Sequence, residues 1–172
     1  PLVINLDLNN ATINCAGEAT GIIRSEAFGG IGNYTYTLVN SNTLPVTASS
    51  IVRPTQNSGI FRELNPGRYF VYAQSGGCEV MSTPIDIEPK DPLVLDYLEA
   101  VPVLCAGDMN GQIIIEASGG TGQIRYSISD TLSEFFEGDD PANPNRKTFN
   151  DLAPRTYDII IQDDLGCTIT RT

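Results

Sequence analysis

Histidine and tryptophan are both missing from this 172-residue chain. Without histidine the commonest general base and imidazole metal ligand is gone. No Cys-x-x-Cys pair is present, so a structural zinc site is not expected, and no base stands near a cysteine to hold a catalytic thiolate. Positive charge is scarce: ten Lys and Arg face 21 Asp and Glu, giving a net charge of −11. Such a surface repels phosphate backbones and anionic membranes, which argues against nucleic-acid binding. It favours solubility and attracts divalent cations. No apolar run approaches the length that spans a bilayer, so no membrane insertion is expected. No signal peptide is visible, and a start on Pro1 reads as a segment of something longer. Carboxylates remain as catalytic candidates, but the adjacent pairs Asp139-Asp140 and Asp163-Asp164 sit in turn-like sequence and read as solvated loop acids. The chain is not expected to be an enzyme.

What is present suits short strands. Hydrophobic residues make up 41% of the chain, enough for a core, while Gly and Pro number 16 and 11. Thr, Ser, Asn, Val and Ile fill much of the rest. The sequence also repeats itself. Pro1-Leu2-Val3 matches Pro92-Leu93-Val94, and Cys15-Ala16-Gly17 matches Cys105-Ala106-Gly107. Gly29-Gly30-Ile31-Gly32 matches Gly119-Gly120-Thr121-Gly122, and Tyr36 matches Tyr126. Phe61-x-x-Leu64-x-Pro66 with Tyr69 matches Phe149-x-x-Leu152-x-Pro154 with Tyr157, and Gly77-Cys78 matches Gly166-Cys167. The order is kept throughout, so two repeats are read, 1–91 and 92–172. The second lacks a counterpart of Pro84-Ile85-Asp86-Ile87-Glu88-Pro89 and is read as C-terminally truncated.

Each repeat reads as a run of strands. Candidates in the first are Leu2–Leu8, Gly21–Phe28, Asn33–Val39, Tyr69–Ala73 and Glu79–Ile87. In the second they are Gln112–Ala117, Gln123–Ile128, Tyr157–Gln162 and Thr168 onward. This density of strands and turns predicts an all-β chain of two tandem immunoglobulin-like β-sandwich repeats, arranged end to end. The glycine runs lie between strands, where positive φ is needed. No helix follows them, so they are not read as phosphate cradles. Leu-x-Pro-x-x-Tyr before a strong strand has the spacing of a tyrosine corner, in which the phenol bonds back to the turn.

Cys-Ala-Gly, then Gly-Gly-x-Gly before Tyr, then Leu-x-Pro-x-x-Tyr, then Gly-Cys resembles the SprB repeat, found in large surface adhesins of gliding Bacteroidetes. Asp163-Asp164-Leu165-Gly166-Cys167 is the most characteristic piece, and the first repeat departs from it with Gln74-Ser75-Gly76-Gly77-Cys78. The resemblance implies an extracellular, cell-surface location, export by type IX secretion, tandem arrays, and a part in gliding or surface attachment.

The cysteines come one pair per repeat, Cys15 with Cys78 and Cys105 with Cys167. An even count in a secreted chain suggests disulfides. Within-repeat bonds Cys15–Cys78 and Cys105–Cys167 are the default, each closing a loop worth about 4 kcal/mol. A disulfide needs Cα atoms within about 7 Å, however, and in an immunoglobulin-like sandwich Cys15 and Cys78 fall at opposite ends. A Cys15–Cys167 bond, stapling one repeat to the next, is the alternative. It leaves Cys78 and Cys105 for neighbouring repeats.

Calcium is a possible cofactor. If repeats stack, Glu18, Glu88, Asp91, Asp163 and Asp164 gather at the junction, with Asp108 and Asn110 at the next, although no complete calcium loop motif is present. Asp130-Thr131-Leu132 resembles a Bacteroidetes O-glycosylation site, with Thr131 as acceptor. Asn10-Ala11-Thr12 and Asn33-Tyr34-Thr35 fit an N-glycosylation pattern that matters only in a eukaryotic secretory pathway. The expected function is a stalk or adhesive segment whose partners are neighbouring repeats and a surface or polysaccharide ligand. The alternative is a carbohydrate-binding or spacer module of a secreted multidomain enzyme.

Overall fold

The structure is a computed structural model that describes every residue except 106 and 130–133. Thr131, the glycosylation candidate, therefore lies outside the described residues. The chain divides into two compact units, Pro1–Pro89 and Lys90–Thr172.

The first unit contains β1 (Val3–Asp7), β2 (Gly21–Phe28), β3 (Thr35–Val39), β4 (Ile51–Gln56), β5 (Ile60–Leu64), β6 (Gly67–Ser75), β7 (Cys78–Met81) and β8 (Ile85–Ile87). One antiparallel sheet runs β1-β2-β5; the other runs β4-β3-β6-β7, with β8 paired to the start of β6. The second unit contains β9 (Val94–Val101), β10 (Gly111–Ser118), β11 (Arg125–Ile128), β12 (Phe136–Glu137), β13 (Arg146–Leu152), β14 (Ile159–Gln162) and β15 (Thr168–Arg171). Its sheets run β13-β10-β9 and β12-β11-β14-β15. First, second and fifth strands thus pair in one sheet, and fourth, third, sixth and seventh in the other, in both units. That wiring is the immunoglobulin-like sandwich. No α-helix occurs among the described residues.

Alternation sends one side of each strand inward. In β10 Gly111, Ile113, Ile115 and Ala117 are buried while the residues between them are not. β2 does the same with Gly21, Ile23 and Ala27. Each unit closes its own core: Ile23, Leu38, Phe61 and Val71 in the first, Ile115, Tyr126, Ile159 and Ile161 in the second. Burying each such side chain contributes roughly 1.5–3 kcal/mol.

Two tyrosines per unit fasten the sandwich. Tyr69 donates its hydroxyl to the Asn65 carbonyl at 2.8 Å, and Tyr157 donates to the Ala153 carbonyl at 2.9 Å. These are tyrosine corners. Tyr36 accepts the Ala27 amide at 3.0 Å, while the Tyr126 hydroxyl donates to the Asn145 carbonyl.

Some strands differ from the sequence expectation. β4, β5, β9, β12 and β13 are not among the candidates, and Glu79–Ile87 is two strands. The break falls where the Val71 amide donates to the Ser82 hydroxyl instead of to a ladder carbonyl, just before Pro84, which has no N–H to give.

Candidate functional site

The repeated glycines mark a corner where the chain passes too close for any side chain. A Cβ on Gly29 would lie 2.2 Å from the Pro1 carbonyl oxygen, and one on Gly119 would lie 2.0 Å from that of Pro92. Gly30 and Gly120 both have φ of 64°, and each faces a side chain arriving from the end of the sixth strand of its unit. In the first unit that side chain is Ser75, which accepts the Ile31 amide at 3.1 Å and donates to the Gly32 carbonyl at 2.6 Å. In the second it is Asp163.

Asp163 is 2% exposed, and its carboxylate takes three main-chain amides. Oδ2 accepts from Thr121 at 2.8 Å; Oδ1 accepts from Leu165 and Cys167, each at 2.9 Å. One carboxylate therefore ties the glycine loop to the loop that carries a cysteine. Asp164, exposed beside it, accepts the Gln123 amide at 2.9 Å and pairs with Arg125 at 2.9 Å. The Gln123 amide first, and Arg125 after it, hold the Asp164 carboxyl below its ordinary range.

The cysteine turns are built alike. After Cys15 the Glu18 amide returns to the Cys15 carbonyl, and after Cys105 the Asp108 amide returns to the Cys105 carbonyl, both at 3.1 Å. Cys15 and Cys167 are each oxidised to a disulfide. Cys78 and Cys105 are exposed free thiols. Neither default bond, Cys15–Cys78 or Cys105–Cys167, is therefore present. The physical reason is the one that separates the ends of a sandwich: Cys78 lies in the ladder opposite Ser75, at the glycine corner, whereas Cys15 follows the first strand.

The calcium candidates do not assemble a donor set. Among the described residues no group of three His, Cys, Asp or Glu side chains is placed to hold a metal ion. Asp163 spends both oxygens on amides, and Asp164 is engaged by Gln123 and Arg125. Glu18, Glu88 and Asp91 are exposed. Asp108 accepts the Cys105 amide at 3.1 Å and the Asn110 side-chain amide at 3.4 Å, which makes it a turn brace. Among the described residues no helix is long and apolar enough to cross a membrane.

A family model described as the SprB repeat matches residues 11–43 and 98–132. The chain is similar to the SprB repeat over these two stretches. The matched stretches take in the Cys-Ala-Gly turn, β2 or β10, the glycine loop and β3 or β11, and end before Ser75 and Asp163. In each unit the matched stretch holds the glycine loop, and the side chain that completes the corner, Ser75 or Asp163, lies outside it. No curated protein matches this chain. Among solved structures, the chain is similar to the C-terminal 282-residue fragment of intimin in complex with the translocated intimin receptor intimin-binding domain. Identity is 16% and the TM-score 0.45, covering 98% of this chain and 61% of that fragment. It is also similar to the fibronectin(III)-like modules of Clostridium thermocellum CbhA, at 15% identity and a TM-score of 0.40, covering 98% and 90%. The chain thus spans less than two thirds of the intimin fragment.

Proposed function

We propose that this chain is a load-bearing segment of a secreted, cell-surface repeat protein, in which each SprB repeat is covalently fastened to the next. The supporting observation is the state of the four sulfurs. Cys15 and Cys167 are oxidised while Cys78 and Cys105 are exposed thiols. The reading pairs Cys15 of one repeat with Cys167 of the following one. By repetition, Cys78 then takes the Cys15-type cysteine of a preceding repeat, and Cys105 takes the Cys167-type cysteine of a following repeat. Exposed thiols do not persist in an oxidising compartment, so unpaired ends of this kind suit an array exported from the cell. Type IX secretion and a part in gliding or surface attachment are the finer reading that the family adds.

The module transmits force and sets distance; its chemistry is that of a strut. Pulling the chain by its two termini, with and without reductant, tests this. With the Cys15–Cys167 bond closed, residues 16–166 are shielded and the chain lengthens little before rupture. Reduction releases both units, adding on the order of 500 Å of contour length. Equal lengthening in both conditions contradicts the reading.

A further inference from the structure

The outer faces of the two three-stranded sheets carry different chemistry. In the first unit the register sets Val3 against Phe28, Asn5 against Glu26 and Asp7 against Arg24, and β5 adds Ile60 beside Arg24. Ile23 and Ala27, the alternate residues of β2, are buried, so Arg24, Glu26 and Phe28 point away from the core. Val3 is 48% exposed, Phe28 44% and Ile60 36%. Asn5, Asp7, Arg24, Glu26 and Ile60 line an open cleft of about 460 Å³.

One wall of this cleft is fixed by the turn before β5. The Gly59 carbonyl accepts the Ser25 amide at 2.8 Å and the Ser25 hydroxyl at 2.9 Å. The strands pass so closely there that a Cβ on Gly59 would lie 1.9 Å from the Ser25 carbonyl oxygen. The polar groups in front of the wall are unspent. Arg24 is half-buried, yet among the described residues the side chains of Asn5, Arg24 and Glu26 make no hydrogen bond or ion pair. Asp7 accepts the Asn9 amide on one oxygen and keeps the other. In the second unit Ile114, Ser118 and Thr148 take the places of Arg24, Phe28 and Ile60. There Tyr97 donates to Glu99, and the Arg146 guanidinium lies 5.6 Å from the Tyr97 ring centroid, so the polar groups are spent on one another.

We propose that the cleft of the first unit binds a neutral saccharide. A guanidinium only donates and a carboxylate only accepts. A ligand that serves both must carry donors and acceptors side by side, as neighbouring sugar hydroxyls do. An anion suits Arg24 but meets Asp7 and Glu26; an amine suits the acids but meets Arg24. The net charge of −11 also repels anionic polymers. Phe28 and Ile60 offer the C–H face of a sugar ring an apolar surface, and a few placed polar groups on such a surface are the make-up of a small-ligand site. The inference goes beyond the load-bearing reading and stands without it.

The test is a nuclear magnetic resonance titration of the intact, isotope-labelled chain. The probes are cellohexaose, laminarihexaose, xylohexaose and mannohexaose, each taken to millimolar concentration. At least one is expected to shift the amide signals of β1, β2 and residues 58–60, and to leave β9 and β10 unmoved. Hexagalacturonate, with a carboxylate on every ring, is expected to shift nothing. Arg24→Ile and Phe28→Ser each introduce the second unit's residue on this outer face. Each is expected to weaken binding at least tenfold while the unit stays folded. No shift with any neutral hexasaccharide, shifts centred elsewhere, equal binding of hexagalacturonate, or unchanged affinity in both variants overturns the proposal.

Discussion

The Asp163 carboxylate and the Thr121 amide meet at 2.8 Å, joining the cysteine loop of the second unit to its glycine loop. The same carboxylate holds the Cys167 amide at 2.9 Å. Asp163→Ala leaves three amides without their acceptor and is expected to destabilise the second unit by about 2–4 kcal/mol in urea unfolding. Asp163→Ser, which copies Ser75, is expected to recover part of that loss. Equal stability of the alanine variant and the native chain refutes the role given to this carboxylate.

Tyr69 and Tyr157 each hold a turn carbonyl four residues back. Tyr69→Phe and Tyr157→Phe keep the ring and remove only the bond. Each is expected to cost about 1 kcal/mol. Because each unit has its own core, each substitution lowers the stability of its own unit, which thermal unfolding of single and double variants resolves as additive effects.

Ile87 fills the space above Gly21. Ile87→Ala is expected to destabilise the first unit by about 2–5 kcal/mol and the second not at all. Amide exchange resolved by unit reads the difference directly.

Alkaline pH exposes the buried phenols. Burial foremost pushes Tyr126 and Tyr72 up to about 12, against about 10 in an unfolded chain. Between those values the native state binds more protons than the unfolded one, so stability falls as pH rises from about 10 to about 12. Ultraviolet titration is expected to show these phenolates ionising late and together with unfolding.

At the acid end the sign reverses. Asp164 is depressed by Gln123 and Arg125, so its contribution is present above the ordinary carboxylate range and is lost as pH falls through its lowered value. Urea midpoints of Asp164→Asn and the native chain are expected to differ at neutral pH and to converge in strong acid.

The all-β class and the tandem sandwich were legible because glycine, proline and tyrosine recur where geometry demands them. Gly29 and Gly119 abut a carbonyl oxygen, and Tyr69 and Tyr157 close a turn. β5 and β13 were hidden for the opposite reason. Each bends at a left-handed residue, Glu63 with φ of 54° and Asp151 with φ of 58°, and neither residue type announces such a bend. β4 was masked by Pro54, which a strand beside only one partner tolerates. At the glycine corner the acids of repeat 2 suggested a cation, yet main-chain amides satisfy Asp163, and Ser75 does its work in repeat 1. Only the three-dimensional neighbours of a carboxylate reveal that choice. Sulfur oxidation was equally ambiguous, since even spacing within each repeat suits two different pairings.

The proposed strut depends on covalent linkage from one repeat to the next. Peptide mapping of the unreduced chain, with alkylation of free thiols before digestion, tests it most directly. A cross-linked peptide containing Cys15 and Cys167, with Cys78 and Cys105 both alkylated, is the predicted result. A cross-linked peptide containing Cys15 and Cys78, or Cys105 and Cys167, contradicts it.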